Sequence, residues 1–140
     1  MLIEINSFLK ILQFFCAIIK LSVIIPVYNE ENTIKKVLGK VKQARIGNIK
    51  KEIIVVDDFS TDNTKRILNK TKDKSLKIFY HGKNMGKGAA IRTGLQNATG
   101  DIILIQDADL EYNPDEYRRL LKPVIEGKAK VVYGSRLEAI

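Results

Sequence analysis

Four short aliphatic runs, Leu21 to Ile25, Glu52 to Val56, Leu76 to Tyr80 and Asp101 to Gln106, alternate along this chain with segments of helical spacing. Runs so short and so continuously apolar suit strands covered on both faces, and such strands belong to parallel sheets with helices above and below. The first run stops at Pro26. Asn32 then predicts a helix N-cap, with Ile34, Val37, Leu38 and Val41 following at helical intervals. A short helix is expected through Ile67 and Leu68, another from Ala89 to Ala98 capped by Gly100, and a last one from Pro114 toward Leu121. Lys130 to Tyr133 reads as a final strand. The expected class is α/β, a Rossmann-like, mainly parallel sheet with helices on both faces. A chain of 140 residues accommodates one such domain around one core.

In open sheets of this kind, ligands bind beyond the C-terminal ends of the strands. Here those ends carry Tyr28 and Glu30, then Asp57 and Asp58, then Asp107 and Asp109, then Arg136. Three of the four are acidic, although Lys and Arg outnumber Asp and Glu by 24 to 16, a net charge of +8. Asp107-Ala108-Asp109 closes the fourth run. A strand puts residues i and i+2 on one side, so both carboxylates can converge on one point. Convergent carboxylates predict a divalent-cation site, and Mg2+ or Mn2+ takes oxygen ligands shared with substrate phosphates.

The basic residues fall at Lys35, Lys36, Lys40, Lys42, Arg45, Lys50, Lys51 and from Lys65 to Lys77, where helix surfaces and loops are expected. They read as solvated faces, or as a surface for anionic lipid or a phosphate-bearing substrate. No nucleic-acid motif is present, and the aromatic residues do not interleave with the basic ones. The single cysteine, Cys16, excludes an internal disulfide and a zinc pattern, so a reducing compartment is expected. Residues 1–20 stand apart from the rest. Ile11 to Ile19 is uncharged but too short to cross a bilayer, and Glu4 precedes any Lys or Arg, against a signal peptide. As a helix, this stretch would gather Ile5, Phe8, Leu9, Leu12, Phe15, Cys16 and Ile19 on one face. Such an amphipathic extension suits a membrane surface or a groove on the domain; a loosely attached leader is the alternative.

Rival phosphate motifs fail on spacing. Gly82 to Gly86 has three intervening residues where a P-loop has four, and Gly88 stands where Ser or Thr should follow the lysine. A dinucleotide fingerprint fails because Ile91 occupies its third glycine position. What remains is a turn feeding a helix N-terminus beside Lys87, which either serves as a tight turn or favours a phosphate. A phosphoaspartate reading of Asp107 and Asp109 is disfavoured by Glu111 and by the position of Asp57-Asp58 after the second strand. His81, a lone imidazole beside the turn, reads as a packing or surface residue.

Five segments together resemble the family 2 glycosyltransferases and their GT-A fold. They are Ser22-Val-Ile-Ile-Pro-Val-Tyr-Asn-Glu30, Val55-Val-Asp-Asp-Phe-Ser-Thr-Asp-Asn-Thr64, Asn84-Met-Gly-Lys-Gly-Ala-Ala90, Asp107-Ala-Asp-Leu110 and Gly134-Ser-Arg136. They occur in family order and span Leu21 to Leu137. Within the family the chain is most similar to the polyprenyl-phosphate sugar synthases, such as dolichol-phosphate mannose synthase. Family members normally continue well beyond the Gly-Ser-Arg segment. The resemblance therefore covers the donor-binding part, with residues 21–140 as an incomplete nucleotide-sugar-binding domain.

The resemblance implies metal-dependent, inverting transfer of a hexose, mannose or glucose, from a GDP- or UDP-sugar to a polyprenyl or dolichyl phosphate. It places Pro26, Tyr28 and Glu30 around the nucleoside, with Asp57 near base and ribose. Asp58, Lys87 and Ala108 are the remaining donor-binding candidates. Asp107 would contact the nucleotide-sugar. Asp109 would hold the metal, Mg2+ or Mn2+, with Asp107 and Glu111 as further metal-side carboxylates. Arg136 would meet phosphate. Glu111 stands where the mannose synthases tend to have Gln, and Phe59 where the second motif commonly has Gly. A lipid-phosphate acceptor implies a cytoplasmic protein, peripheral on the cytoplasmic face of the membrane. The alternatives are a non-catalytic nucleotide-sugar-binding fragment, a family 2 transferase acting on a glycan hydroxyl, and a phosphohydrolase.

Overall fold

A computed structural model describes residues 18–71 and 73–134. The N-terminal segment up to residue 17, with Cys16, and Arg136 lie outside the described residues. The order of elements is β1 (Lys20–Val27), α1 (Ile34–Gln43), β2 (Lys50–Asp57), α2 (Thr64–Lys70), β3 (Leu76–Tyr80), α3 (Lys87–Asn97) and β4 (Ile102–Ile105). A 3-10 turn (Pro114–Glu116) then leads into α4 (Tyr117–Ile125).

The four strands form one parallel sheet in the order β3-β2-β1-β4, as the expected class requires. The chain lays β2 and then β3 on one side of β1, and returns through α3 to place β4 on the other side. That reversal makes the C-terminal ends of β1 and β4 a switch point, where the connections diverge and leave a crevice. Alternation along β1 sorts the core. Leu21, Val23, Ile25 and Val27 pack with Ile34, Val37, Leu38 and Val41 of α1, Leu68 of α2, and Tyr117 and Leu121 of α4. Ile24, on the opposite face, packs with Ile54, Val56 and Ala90 of α3. Helices thus cover both faces of the central strands, while Ile103 and Ile105 of β4 stay exposed. The close approach of α3 depends on Gly94, where a Cβ would lie 2.4 Å from Cγ2 of Ile24.

Several boundaries differ from the sequence expectation. Thr33, not Asn32, occupies the N-cap of α1, and its hydroxyl donates to the Glu30 carboxylate at 2.5 Å rather than to the helix backbone. α3 begins at Lys87 and is capped by Ala98. Gly100 serves close approach instead: a Cβ there would sit 2.7 Å from the Ser22 backbone N and 2.8 Å from the Lys20 carbonyl. Pro114 starts a 3-10 turn before α4, with the Asn113 carboxamide accepting from the Asp115 N–H at 3.2 Å. The expected final strand is not formed. Residues 131–134 have no regular structure, and Val131 and Tyr133 are exposed. β-type composition makes a strand only where a ladder partner accepts it, and this segment pairs with no strand among the described residues.

Candidate functional site

A cleft of about 350 Å3 opens at the switch point. Of the residues singled out in the sequence, it brings together Pro26, Tyr28, Glu30, Asp58, Lys87, Asp107, Ala108 and Asp109; Val27, Asn84 and Gly86 complete its lining. Asp57 and Glu111 are not among the lining residues. Among the described residues, four carboxylates and one cation, Lys87, line the cleft, in a chain of net charge +8. The acidity belongs to the site, not to the surface at large.

Each acidic strand end is held differently. Asp57, buried at the end of β2, accepts hydrogen bonds from both the N–H and the hydroxyl of Ser60, closing the loop after the strand. Asp58 reaches the opposite way, to the glycine turn. It accepts from the Met85 N–H at 2.9 Å, the Gly86 N–H at 2.7 Å and the His81 ring at 2.7 Å. Burial works against its charge, but the His81 contact and the two backbone N–H groups outweigh that penalty and hold the carboxyl below its ordinary pKa. Asp58 therefore both lines the cleft and anchors the turn that carries Lys87. The other ring nitrogen of His81 lies 2.9 Å from the Thr93 hydroxyl, which fixes the ring between the turn and α3.

At the end of β4, Asp107 pairs with Lys87 at 2.6 Å, and Asp109 accepts from the Glu111 N–H at 3.0 Å. Gln106 sets this loop. Its side chain is buried; the amide donates to the Asp107 carbonyl at 3.0 Å and the Tyr112 carbonyl at 3.2 Å, while its oxygen accepts from the Tyr117 hydroxyl at 2.7 Å. Leu110 adopts a left-handed φ of 68°, so the chain turns sharply just after the two aspartates. On the β1 side, Asn29 has a φ of 53°, and its side-chain oxygen accepts from the Thr61 N–H at 2.8 Å and the Asp62 N–H at 3.3 Å. Its own N–H donates to the Ser60 hydroxyl at 2.9 Å. The loops after β1 and β2 are thereby tied together.

Gln106, His81 and Asn29 were not singled out as functional by the sequence. For Asn29 a signal existed, since Asn is among the few residues that tolerate left-handed backbone and caps neighbouring N–H groups. Gln106 carried none, because a glutamine at a strand end reads as an ordinary surface residue.

Among the described residues no group of three or more His, Cys, Asp or Glu is placed to hold a metal by itself. Two carboxylates lining one cleft fit Mg2+ or Mn2+ in the usual way, in which the protein gives one or two oxygens and phosphates and water give the rest.

The fold and this site are those of a parallel α/β domain with an acidic cleft at its switch point, and comparison with known proteins gives the family. Residues 22–140 match the family model Glycosyl transferase family 2, and the chain belongs to that family. It is 36% identical over 112 residues to the undecaprenyl-phosphate 4-deoxy-4-formamido-L-arabinose transferase of Proteus mirabilis, covering 77% of this chain and 34% of that protein. It is 33% identical over 118 residues to the dolichol-phosphate mannosyltransferase of Pyrococcus furiosus, covering 84% of this chain and 33% of that one. Among solved structures, the mannosyltransferase PcManGT of Pyrobaculum calidifontis, in complex with GDP-Man and Mn2+, superposes with a TM-score of 0.56 at 35% identity. That match covers 64% of this chain and 27% of the other. The chain spans about a third of the length of the curated relatives it matches. Among the described residues, no helix is long and apolar enough to cross a membrane.

Proposed function

We propose that this chain supplies the donor site of a metal-dependent, inverting hexosyltransferase that moves mannose or glucose from a GDP- or UDP-sugar to a polyprenyl or dolichyl phosphate. The observation that carries the reading is the acidic cleft at the β1/β4 switch point. A nucleoside diphosphate is itself an anion, and four carboxylates repel it unless a cation comes with it. Asp107 and Asp109, which line the cleft, would hold Mg2+ or Mn2+, without a third carboxylate from Glu111. When bound, the metal supplies positive charge to the leaving diphosphate. Pro26, Tyr28 and Glu30 border the nucleoside, and Asp57 sits beneath the loop that approaches its base. Asp58 keeps the glycine turn in place, and Lys87 offers its ammonium to phosphate at the N-terminus of α3. Arg136 is proposed as a further phosphate contact. A lipid phosphate is already an anion at neutral pH, so its attack on C1 requires no strong general base.

The relatives named for undecaprenyl phosphate and dolichol phosphate support this acceptor class, and the neighbour holding GDP-Man with Mn2+ supports the cofactor. The protein is placed in the cytoplasm, peripheral on the membrane face where such acceptors reside. Residues 21–140 act as the nucleotide-sugar-binding domain, and residues 1–20 as an amphipathic extension.

Calorimetric titration of GDP and UDP, each with and without Mn2+, tests the donor site. Metal-dependent binding of one nucleotide, weakened at least tenfold in Asp109→Ala, is expected. No binding of either nucleotide under any condition sinks the reading. A second reading is a nucleotide-sugar-binding unit without turnover. Transfer to a lipid-phosphate acceptor above the Asp109→Ala background would exclude it.

A further inference from the structure

Among the described residues that line the cleft, Lys87 is the only cation, and its position is electrostatically odd. It is the first residue of α3, where the helix dipole disfavours positive charge, and the first turn of that helix contains no acid. Its ammonium reaches across the cleft to Asp107 at 2.6 Å. The lysine side chain is 61% exposed and the aspartate 20%. So exposed a pair is held weakly, and a divalent ion at the same carboxylate carries twice the charge. The contact is therefore cheap to surrender.

The surroundings favour that exchange. Asp58 and Asp107 approach α3 from β2 and β4, and Asp109 lies beyond Asp107 on the same loop. Gly86, at φ 89°, precedes the helix without a side-chain cap, and a Cβ at Gly86 or Gly88 would meet nothing within 4 Å. Asp58 holds the Met85 and Gly86 N–H groups, and the Gly86 carbonyl those of Ala89 and Ala90, so a phosphate at the N-terminus of α3 would meet the Lys87 and Gly88 N–H groups and the lysine ammonium. Lysine suits a moving contact, since its charge sits on a long flexible stem with no fixed donor plane.

We infer that Lys87 is an exchanging cation: it neutralises Asp107 while the cleft holds no metal, yields that carboxylate to a divalent ion, and passes to the donor's diphosphate. The inference rests on the donor-site reading above and adds a direction to it. Lys87 competes with the metal alone, yet assists the nucleotide once the metal is present. A residue that merely shapes the turn would affect both in the same sense.

The test measures Mn2+ alone and then GDP or UDP at saturating Mn2+, by calorimetry, on wild type, Lys87→Met and Lys87→Arg, with unfolding midpoints confirming that each variant is folded. Lys87→Met is expected to bind Mn2+ alone about two- to fivefold more tightly and the nucleotide about tenfold more weakly. Lys87→Arg should restore both values toward wild type. Unchanged or weaker Mn2+ binding by Lys87→Met overturns the inference, as does unchanged nucleotide binding, or a wild type that takes up no Mn2+. If wild type binds Mn2+ but neither nucleotide, the donor-site reading fails, and with it the passage of Lys87 to phosphate; the Mn2+ comparison still separates competition at Asp107 from none.

Discussion

His81 donates to Asp58 across 2.7 Å, and both side chains are almost wholly buried, at 8% and 4% exposure. The pair links the end of β3 to the end of β2 and, through the Met85 and Gly86 N–H groups, to the turn in front of α3. The imidazole is thus part of the frame that carries Lys87, not a group facing the cleft.

Replacing His81 by Phe removes one donor from a buried carboxylate, a loss of about 1–3 kcal/mol. The urea midpoint should fall accordingly. Hydrogen exchange gives the sharper reading, because the Met85 and Gly86 amides should lose protection more than the amides of β1. Equal loss across the sheet would show that the pair does not hold the turn.

Acid should loosen the molecule from both ends of the sheet. Glu52 lies opposite the cleft. Burial opposes its charge, but Lys20, the Ser22 hydroxyl, the Thr99 N–H and Lys77 outweigh it and keep the carboxyl well below the ordinary range. Asp58 is also lowered. A carboxyl whose folded pKa is depressed contributes its full stability above its unfolded value, near 4, and loses it as pH falls toward the folded value. Unfolding free energy should therefore be level from about pH 7 to 5 and fall below that. Glu52→Gln should be less stable at pH 6 by at least about 1 kcal/mol, with a shallower acid decline. A variant with the same acid slope as wild type would assign the decline elsewhere.

Tyr117 and Gln106 form the link between α4 and the loop bearing the two aspartates. Burial pushes the Tyr117 hydroxyl far above its ordinary pKa, so it donates as a neutral phenol throughout the working range. Tyr117→Phe should lose about 1 kcal/mol. Gln106→Leu should lose more, since it leaves the phenol and two carbonyls without their partner. In a double-mutant cycle the two should couple by more than about 0.5 kcal/mol; additive losses would mean that the hydrogen bond contributes little.

The alternation of strands and helices was readable because β1 and β2 are buried on both faces, and burial leaves an aliphatic run behind it; the edge strands β3 and β4 kept such runs although Ile103 and Ile105 of β4 are exposed. The acidic strand ends were readable for the complementary reason: carboxylates seldom end buried strands without a purpose. What escaped was long-range pairing. Gln106 gains its role from Tyr117 eleven residues on, His81 from Asp58 and Thr93, and Gly100 from Ser22 on a strand at the far end of the chain. Lys130 to Tyr133 failed for the same reason, having the composition of a strand but no partner strand among the described residues. Local pattern reports burial and turn chemistry; it does not report who lies opposite.

Phe59 adopts a φ of 66° and is half exposed. An L-residue in this region carries about 1–2 kcal/mol of strain that glycine does not, partly offset by glycine's greater freedom when unfolded. Phe59→Gly should raise the unfolding free energy by up to about 1 kcal/mol. A clear loss in the same measurement would mean that the ring packs more usefully than its exposure suggests.

Gly100 and Gly94 separate two kinds of close approach. At Gly94 the nearest obstacle to a Cβ is a side chain, Ile24, which can change rotamer, and alanine repays part of the strain by favouring the helix. At Gly100 the obstacles include the backbone N of Ser22 and the carbonyl of Lys20, within β1, one of the two central strands of the sheet. Gly100 also donates its N–H to the Ser22 hydroxyl, which in turn binds Glu52 at 2.5 Å. Relief of the clash would have to move β1 or break that buried network. Gly100→Ala should therefore lose about 3 kcal/mol or more, and Gly94→Ala distinctly less. Chemical unfolding of the two variants side by side decides it, and the reverse order would place the tight contact at α3 instead of at the foot of β1.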